Sequence, residues 1–203
     1  MSDEFLFRNA TTGDTDEVYE ICLKTGDAGE DATAIFQHPE LLGHIYAGPY
    51  LRFPDRIAFV VEDNEGIAGY LLAVADSRQF ETWAEQNWWP ELRRHYPSTN
   101  ELTRDAALIR QIHHPNIAPE RFVGEYPAHM HIDLLPRVQG KGLGRRLMRM
   151  LTLDLESKNV AGLHLGVSEQ NTRASQFYRR LGFQLLEATE FGEILGLKFP
   201  ATI

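Results

Sequence analysis

The chain has 203 residues, 43% of them hydrophobic and 24% charged, the profile of a globular protein with a real core; a single domain over 1–203 is the expectation. Its 29 acidic against 20 basic residues give a formal charge of -9, which argues against non-specific nucleic-acid binding, because that requires net phosphate neutralisation. No apolar run approaches the ~20 residues that span a bilayer, "MSDEFLFRNA" carries no secretion signal, and Cys22 alone cannot form an intrachain disulfide, so no membrane and a reducing cytoplasm are expected.

"FRNATTGDTDEVYEICLKTGD" reads as a strand ending near Ala10 and then a helix, capped by Asp14 or Thr15, with Val18, Ile21 and Cys22 as its apolar stripe. "RIAFVVEDNEGIAGYLLAVAD" reads as a hairpin turning at Asp63, Asn64, Glu65 and Gly66. Between about 78 and 126 the pattern changes. "FETWAEQNWWPELRRHY" and "NELTRDAALIRQIHH" are helical in pattern, separated by the turn-like "PSTN", and neither carries enough apolar surface for a core of its own. An inserted helical flap is expected there, its Trp-rich stripe either core or an interaction surface.

"AHMHIDLL" is a strand broken by Pro136. The helix from about Gly142 to Ser157 offers Leu143, Leu147, Met150, Leu151 and Leu155 to the core, with its arginines mostly opposite. "AGLHLGVS" is a further strand. "NTRASQFYRRLGF" is a helix with Asn171 as cap and Gly182 as stop, and "FQLLEATEF" and "EILGLKFP" close the chain as strands. There is no internal repeat.

The stretch "RVQGKGLGRRL" places Gly140, Gly142 and Gly144 at alternate positions where a helix begins, with Arg137, Lys141 and Arg145 around them. Without Cβ atoms the backbone can approach a ligand closely, and the free N–H groups and positive dipole end of the helix suit a pyrophosphate. The pattern is not a P-loop, since no Gly-Lys-Ser/Thr occurs. Nor is it a dinucleotide fingerprint, since Leu147 stands where the third glycine belongs. The pattern [QR]-x-x-G-x-[GA] fits twice, from Arg137 to Gly142 and from Gln139 to Gly144.

In that setting "HIDLLPRVQGKGLGRRLM" resembles the acyl-CoA-binding strand, loop and helix of the GNAT superfamily of N-acyltransferases. "LHLGVSEQNTRASQFYRRLGF" resembles the superfamily's next strand and helix, with Asn171, Ala174, Phe177, Tyr178, Gly182 and Phe183 at its motif positions. Across almost the whole chain, "FLFRNATTGDTDEVYEIC", "VVEDNEGIAGY" and the tryptophan-bearing insert are similar to the acetyltransferase-like C-terminal domain of animal O-GlcNAcase. The resemblance implies a free-standing bacterial relative of that domain, here with an intact cofactor loop. It implies an α/β (α+β) GNAT fold, a central mixed, mostly antiparallel twisted sheet flanked by helices, with the helical insert preceding the cofactor-binding strand.

What the resemblance implies for function is acetyl-CoA as co-substrate and transfer of acetyl to a primary amine, on a small molecule or a protein lysine, by direct attack in a ternary complex. The rival implied by the animal domain is a module of the same fold that binds acyl-CoA or a protein without turnover. Leu134 and Leu135 would pair with the pantetheine arm, and the loop Arg137, Val138, Gln139, Gly140, Lys141, Gly142, Leu143, Gly144 and Arg145 would take the pyrophosphate. Asn171 and Ser175 would meet the cofactor from the opposite side, and Tyr178 would protonate the departing thiolate. Taken without the motif, Tyr178 reads as a core aromatic beside Phe177.

The general base carries no decisive pattern. Asp133 is the first choice, because a carboxylate within an apolar strand beside the cleft can have a raised pKa; His129, His131 and Glu169 are the alternatives. His129 and His131 share a strand face, but no third ligand is spaced to join them, so no metal is expected. Cys22 lies on an apolar stripe without a basic neighbour, which argues against an acyl-cysteine relay. The acidic loop "TGDAGEDAT" sits where acceptors enter in the family: it selects a cationic substrate or is merely solvated. The acceptor and the oligomeric state stay open.

Overall fold

The computed structural model describes residues 5–203. Among them a seven-stranded sheet runs in the order β1-β2-β3-β4-β5-β7-β6. Strands β1 (Leu6–Asn9), β2 (Ile57–Asp63), β3 (Gly66–Val74) and β4 (Ala128–Leu134) form successive antiparallel pairs. Strands β5 (Gly162–Ser168), β6 (Gln184–Thr189) and β7 (Gly192–Lys198) form an antiparallel group in which β7 lies between the other two. The two halves meet where β4 pairs with β5, the parallel contact of the sheet. This is the mixed, mostly antiparallel sheet that the family resemblance implies.

The middle of β2 and β3 is buried on both faces, which explains their unbroken apolar runs. Helix α1 (Thr15–Lys24) contacts β3 and β4, and α8 (Leu143–Ser157) contacts β2, β3 and β4. Helix α1 buries Val18, Ile21 and Cys22 as its periodicity predicts, and Leu23 besides. Its start differs. Asp14 makes no side-chain cap; its carboxylate instead accepts from Arg8 at 2.7 and 2.8 Å and from Thr11 N–H at 2.7 Å. The cap is moved one step upstream, to a capping box between Thr11 and Asp14 on a short 3-10 turn. On α8 the fully buried methionine is Met148, while Met150 is half-buried, because 147, 148, 151, 152 and 155 share one side of the helix.

Between α1 and β2 the chain forms two short helices that the sequence pattern does not reveal, α2 (Leu41–Tyr46) and α3 (Gly48–Arg52). Between β3 and β4 come α4 (Ser77–Asn87), α5 (Trp89–His95), α6 (Arg104–His113) and α7 (Glu120–Val123). Pro90 sits in the first turn of α5, where a missing N–H costs nothing, so the predicted long helix breaks at Trp88. Trp89 is buried and Trp88 Nε1–H donates to His44 O at 2.8 Å, so these tryptophans join α5 to α2 within the core. Helix α6 also packs on α2.

Candidate active site

Strands β4 and β5 share only the partners Ala128↔Leu163 and His129↔His164, although each is seven residues long. Beyond His129 they part. On its other edge β4 stays paired with β3 up to Leu134↔Gly69, and Leu135 N–H donates to Ala68 O at 2.8 Å. Backbone groups alternate along a strand, so Ile132 and Leu134 turn theirs to the open side. Gly69 is obligatory for that approach: a Cβ there would stand 2.3 Å from Leu134 Cδ2 and 2.8 Å from the Asp133 carbonyl.

The parted strands open into a cleft of about 670 Å³, within the size range of small-molecule sites. One wall is the end of β4, with Ile132, Asp133 and Leu134. A second is the glycine loop and the start of α8. A third is α9 (Thr172–Arg180), and the loop 27–30 after α1 closes the remaining side. Gly140 and Gly142 adopt φ of 76° and 80°, a region side chains avoid, and a Cβ on either would meet nothing within 4 Å. The first helical bond of α8 runs from Arg146 N–H to Gly142 O at 3.1 Å, so the N–H groups of Leu143, Gly144 and Arg145 precede it without intrahelical acceptors. Gly144 serves a different purpose. A Cβ there would lie 3.3 Å from Phe177 Cζ, and the small residue lets α8 and α9 come together.

Of the residues the sequence singles out, Asp133, Leu134, Gln139, Gly140, Gly142, Leu143, Gly144, Arg145, Asn171 and Tyr178 line this cleft, whereas Leu135, Arg137, Val138, Lys141 and Ser175 do not. Val138 is buried, and the Leu135 amide faces β3. Arg137 clasps the β2–β3 turn, donating from Nε to Asp63 Oδ2 at 2.8 Å and from Nη2 to Oδ1 at 3.2 Å; the guanidinium holds the Asp63 carboxyl below its usual range. Lys141 places its ammonium 5.0 Å from the Phe5 ring centre. Ser175 Oγ donates to Glu193 on β7. Asn171 caps α9, its Oδ1 accepting from Ala174 N–H at 3.0 Å. A Cβ added to Gly29 would stand 3.2 Å from Asn171 Nδ2, so the loop after α1 and the start of α9 nearly touch across the cleft.

Two cleft residues carried no motif of their own. Arg173 Nη1 donates to Gln139 Oε1 at 2.6 Å, while Gln139 Nε2 donates to Leu134 O at 2.7 Å, so one glutamine ties α9 to the end of β4. Arg180 adds a second cation from the end of α9. Asp27 and Glu30 bring carboxylates from the opposite wall, where Ala28 and Gly29 turn the loop through positive φ. The cleft is therefore cationic along α9 and the start of α8, and acidic at the 27–30 loop.

At the floor, burial pushes the Asp133 carboxyl up to about 6, although the hydrogen bond from Tyr70 Oη–H works the other way. Burial, and then the charge of Asp133, raises the Tyr178 hydroxyl above its ordinary value; it has no hydrogen-bond partner among the described residues. A protonated phenol and a carboxylate that titrates just below neutrality thus share one cleft. Cys22 is buried under α1, which pushes its thiol up to about 12 and keeps it protonated. Among the described residues no three His, Cys, Asp or Glu side chains gather as a metal site, and no helix is long and apolar enough to cross a membrane.

The SsHAT crystal structure superposes on the chain with a TM-score of 0.87 and 34% identity, covering 97% of this chain and 98% of that one. Residues 116–192 match the sequence family described as FR47-like protein. The chain belongs to the GNAT acetyltransferase family. Among curated relatives of the chain, rat protein O-GlcNAcase is 27% identical over 83% of the chain; the chain spans only 19% of that protein's length. The peptidyl-lysine N-acetyltransferase YjaB of Salmonella typhimurium is 37% identical over 38% of the chain and 48% of its own length.

Proposed function

We propose that the protein transfers acetyl from acetyl-CoA to a primary amine within a ternary complex. The observation that carries this reading is the cleft where β4 and β5 part, with bare helix-start amides at one end and the Asp133–Tyr178 pair at the other. The three unpaired N–H groups of α8, with Arg145 beside them, suit a diphosphate. The open edge of β4 suits an arm carrying amides, which Ile132 and Leu134 would bond as a partial added strand.

An amine of lysine type, with pKa ~10.4, is neutral in about one molecule in two thousand at pH 7. The neutral amine forms by releasing one proton to solvent, and Asp133 takes the second, which the nitrogen sheds as its bond to carbon forms. The amine nitrogen bonds to the thioester carbonyl carbon while the Leu134 N–H faces the developing oxyanion. As the C–S bond breaks, Tyr178 Oη–H delivers its proton to sulfur. The carboxylates of Asp27 and Glu30 favour a cationic acceptor, a class that includes the peptidyl lysine named for the Salmonella relative.

Thermal melting with acetyl-CoA, followed by thiol release across lysine peptides, polyamines, aminoglycosides and amino sugars, tests the reading. A melting shift with CoA release on at least one amine is expected. No shift refutes the cofactor site, and a shift without release on any amine replaces transfer by binding alone. Tyr178→Phe is expected to keep the shift and slow release on the order of 10²-fold.

A further inference from the structure

The face of β4 that carries Asp133 also carries His129 and His131, and the direction of every hydrogen bond joining these imidazoles can be deduced. Ser77 Oγ lies 2.7 Å from Pro127 O, which can only accept, so the single hydroxyl proton goes there. The same oxygen lies 2.7 Å from His129 Nδ1, and with no second proton it accepts from Nδ1–H. A neutral imidazole protonated at Nδ1 is bare at Nε2, so His129 Nε2 accepts from Tyr50 Oη–H at 2.8 Å. The Tyr50 oxygen in turn accepts from His131 Nε2–H at 3.0 Å. Burial lowers both imidazoles, His131 to about 4, which keeps them neutral near pH 7.

His131 Nδ1 is therefore left with a bare lone pair, and no hydrogen bond among the described residues engages it. The ring is held on several sides: Tyr50 at 5.0 Å from α3, and Tyr46 at 5.4 Å from α2, whose hydroxyl donates to Gln111 of α6 at 3.2 Å. Along β4 its neighbours on the same face are His129 and Asp133. Cα atoms two apart on a strand are ~6.6 Å apart; Asp133 lines the cleft and His131 lies one such step beyond its lining residues, so an amine held at Asp133 would meet His131 at the cleft's edge.

We infer that Tyr50 is a positioning residue that locks His131 as the Nε2–H tautomer, so that His131 Nδ1 accepts a hydrogen bond from the acceptor amine beside Asp133. The inference rests on the transfer reading above. A neutral acceptor orients the amine without favouring its ammonium form, as a second carboxylate would. His131 stays neutral throughout; the amine proton passes to Asp133 as the C–N bond forms, and Tyr178 supplies the proton that leaves with sulfur.

Spectra of the protein with 15N-labelled histidine test the lock, with single-histidine variants giving the assignments. His129 is expected as Nδ1–H and His131 as Nε2–H, and Tyr50→Phe, which preserves the ring stacked on Phe80, is expected to mix the His131 tautomers. His131→Gln retains a donor toward Tyr50 and removes the bare nitrogen. With the best amine of the panel above, it is expected to lower kcat at least ~10-fold with acetyl-CoA KM unchanged, and Tyr50→Phe to do so to a smaller degree. Wild-type His131 protonated at Nδ1, or full kcat in His131→Gln, overturns the inference. A wild-type protein without turnover sinks the transfer reading instead, and the tautomer spectra still decide whether the lock exists.

Discussion

Replacement of Gly142 by alanine separates the loop's conformation from its binding role. At φ 80° and ψ 0° a non-glycine residue costs ~1–2 kcal/mol. The added Cβ meets nothing within 4 Å, so no clash adds to that cost. For a chain of this length each kcal/mol moves the melting temperature by ~2–4 °C, so the free variant should melt ~2–8 °C lower. Acetyl-CoA at a hundred times its dissociation constant adds ~2.7 kcal/mol to the wild type, a rise of ~5–11 °C. If the new methyl occupies diphosphate space and weakens binding ~100-fold, the same concentration adds only ~0.4 kcal/mol, or ~1–2 °C. Differential scanning calorimetry with and without acetyl-CoA reads both terms. A variant that melts lower yet keeps the full ligand shift would show that the diphosphate sits elsewhere, and one with unchanged free stability would refute the strain argument.

Other expectations follow from the same geometry. Because Asp133 titrates at about 6, kcat should fall as pH drops through that value, and Asp133→Asn should lose both the acidic limb and roughly 10²–10⁴-fold of rate; a limb that survives in the variant assigns it to another group. Asn171→Ala removes the cap bond to Ala174 and should cost ~1 kcal/mol of stability, measured by urea denaturation; no loss would mean that water replaces the cap. Arg137→Ala should leave acetyl-CoA affinity within about twofold in calorimetric titration, since its guanidinium serves the Asp63 turn; a tenfold loss would return it to the cofactor site.

Several features of this protein could be known from the one-dimensional chain, because they arise from local physics. The strand-loop-helix around Gly140–Gly144 is visible because helix starts, bare glycines and flanking apolar periodicity are properties of neighbouring residues. The same holds for the hairpin turn at Asp63–Gly66 and for the Asn171 cap. Helices α2 and α3 leave no repeating pattern because each is only a turn or two long; α2 is held by packing against α1 and α6, and α3 by packing against α1, β2 and β3.

What tertiary structure alone decided is which side chains remain available at the cleft. Arg137 stands in the glycine motif, yet Asp63, 74 positions away in the chain, takes its guanidinium. Gln139 binds Leu134 and Arg173 together, and Asp133 owes its raised pKa to burial beside Tyr70 and α1. Both the burial that shifts an ionisable group and the long-range partner that claims a cation are set by residues far apart in sequence. A motif can therefore name a loop's chemistry, while the fold determines which of its atoms face the substrate.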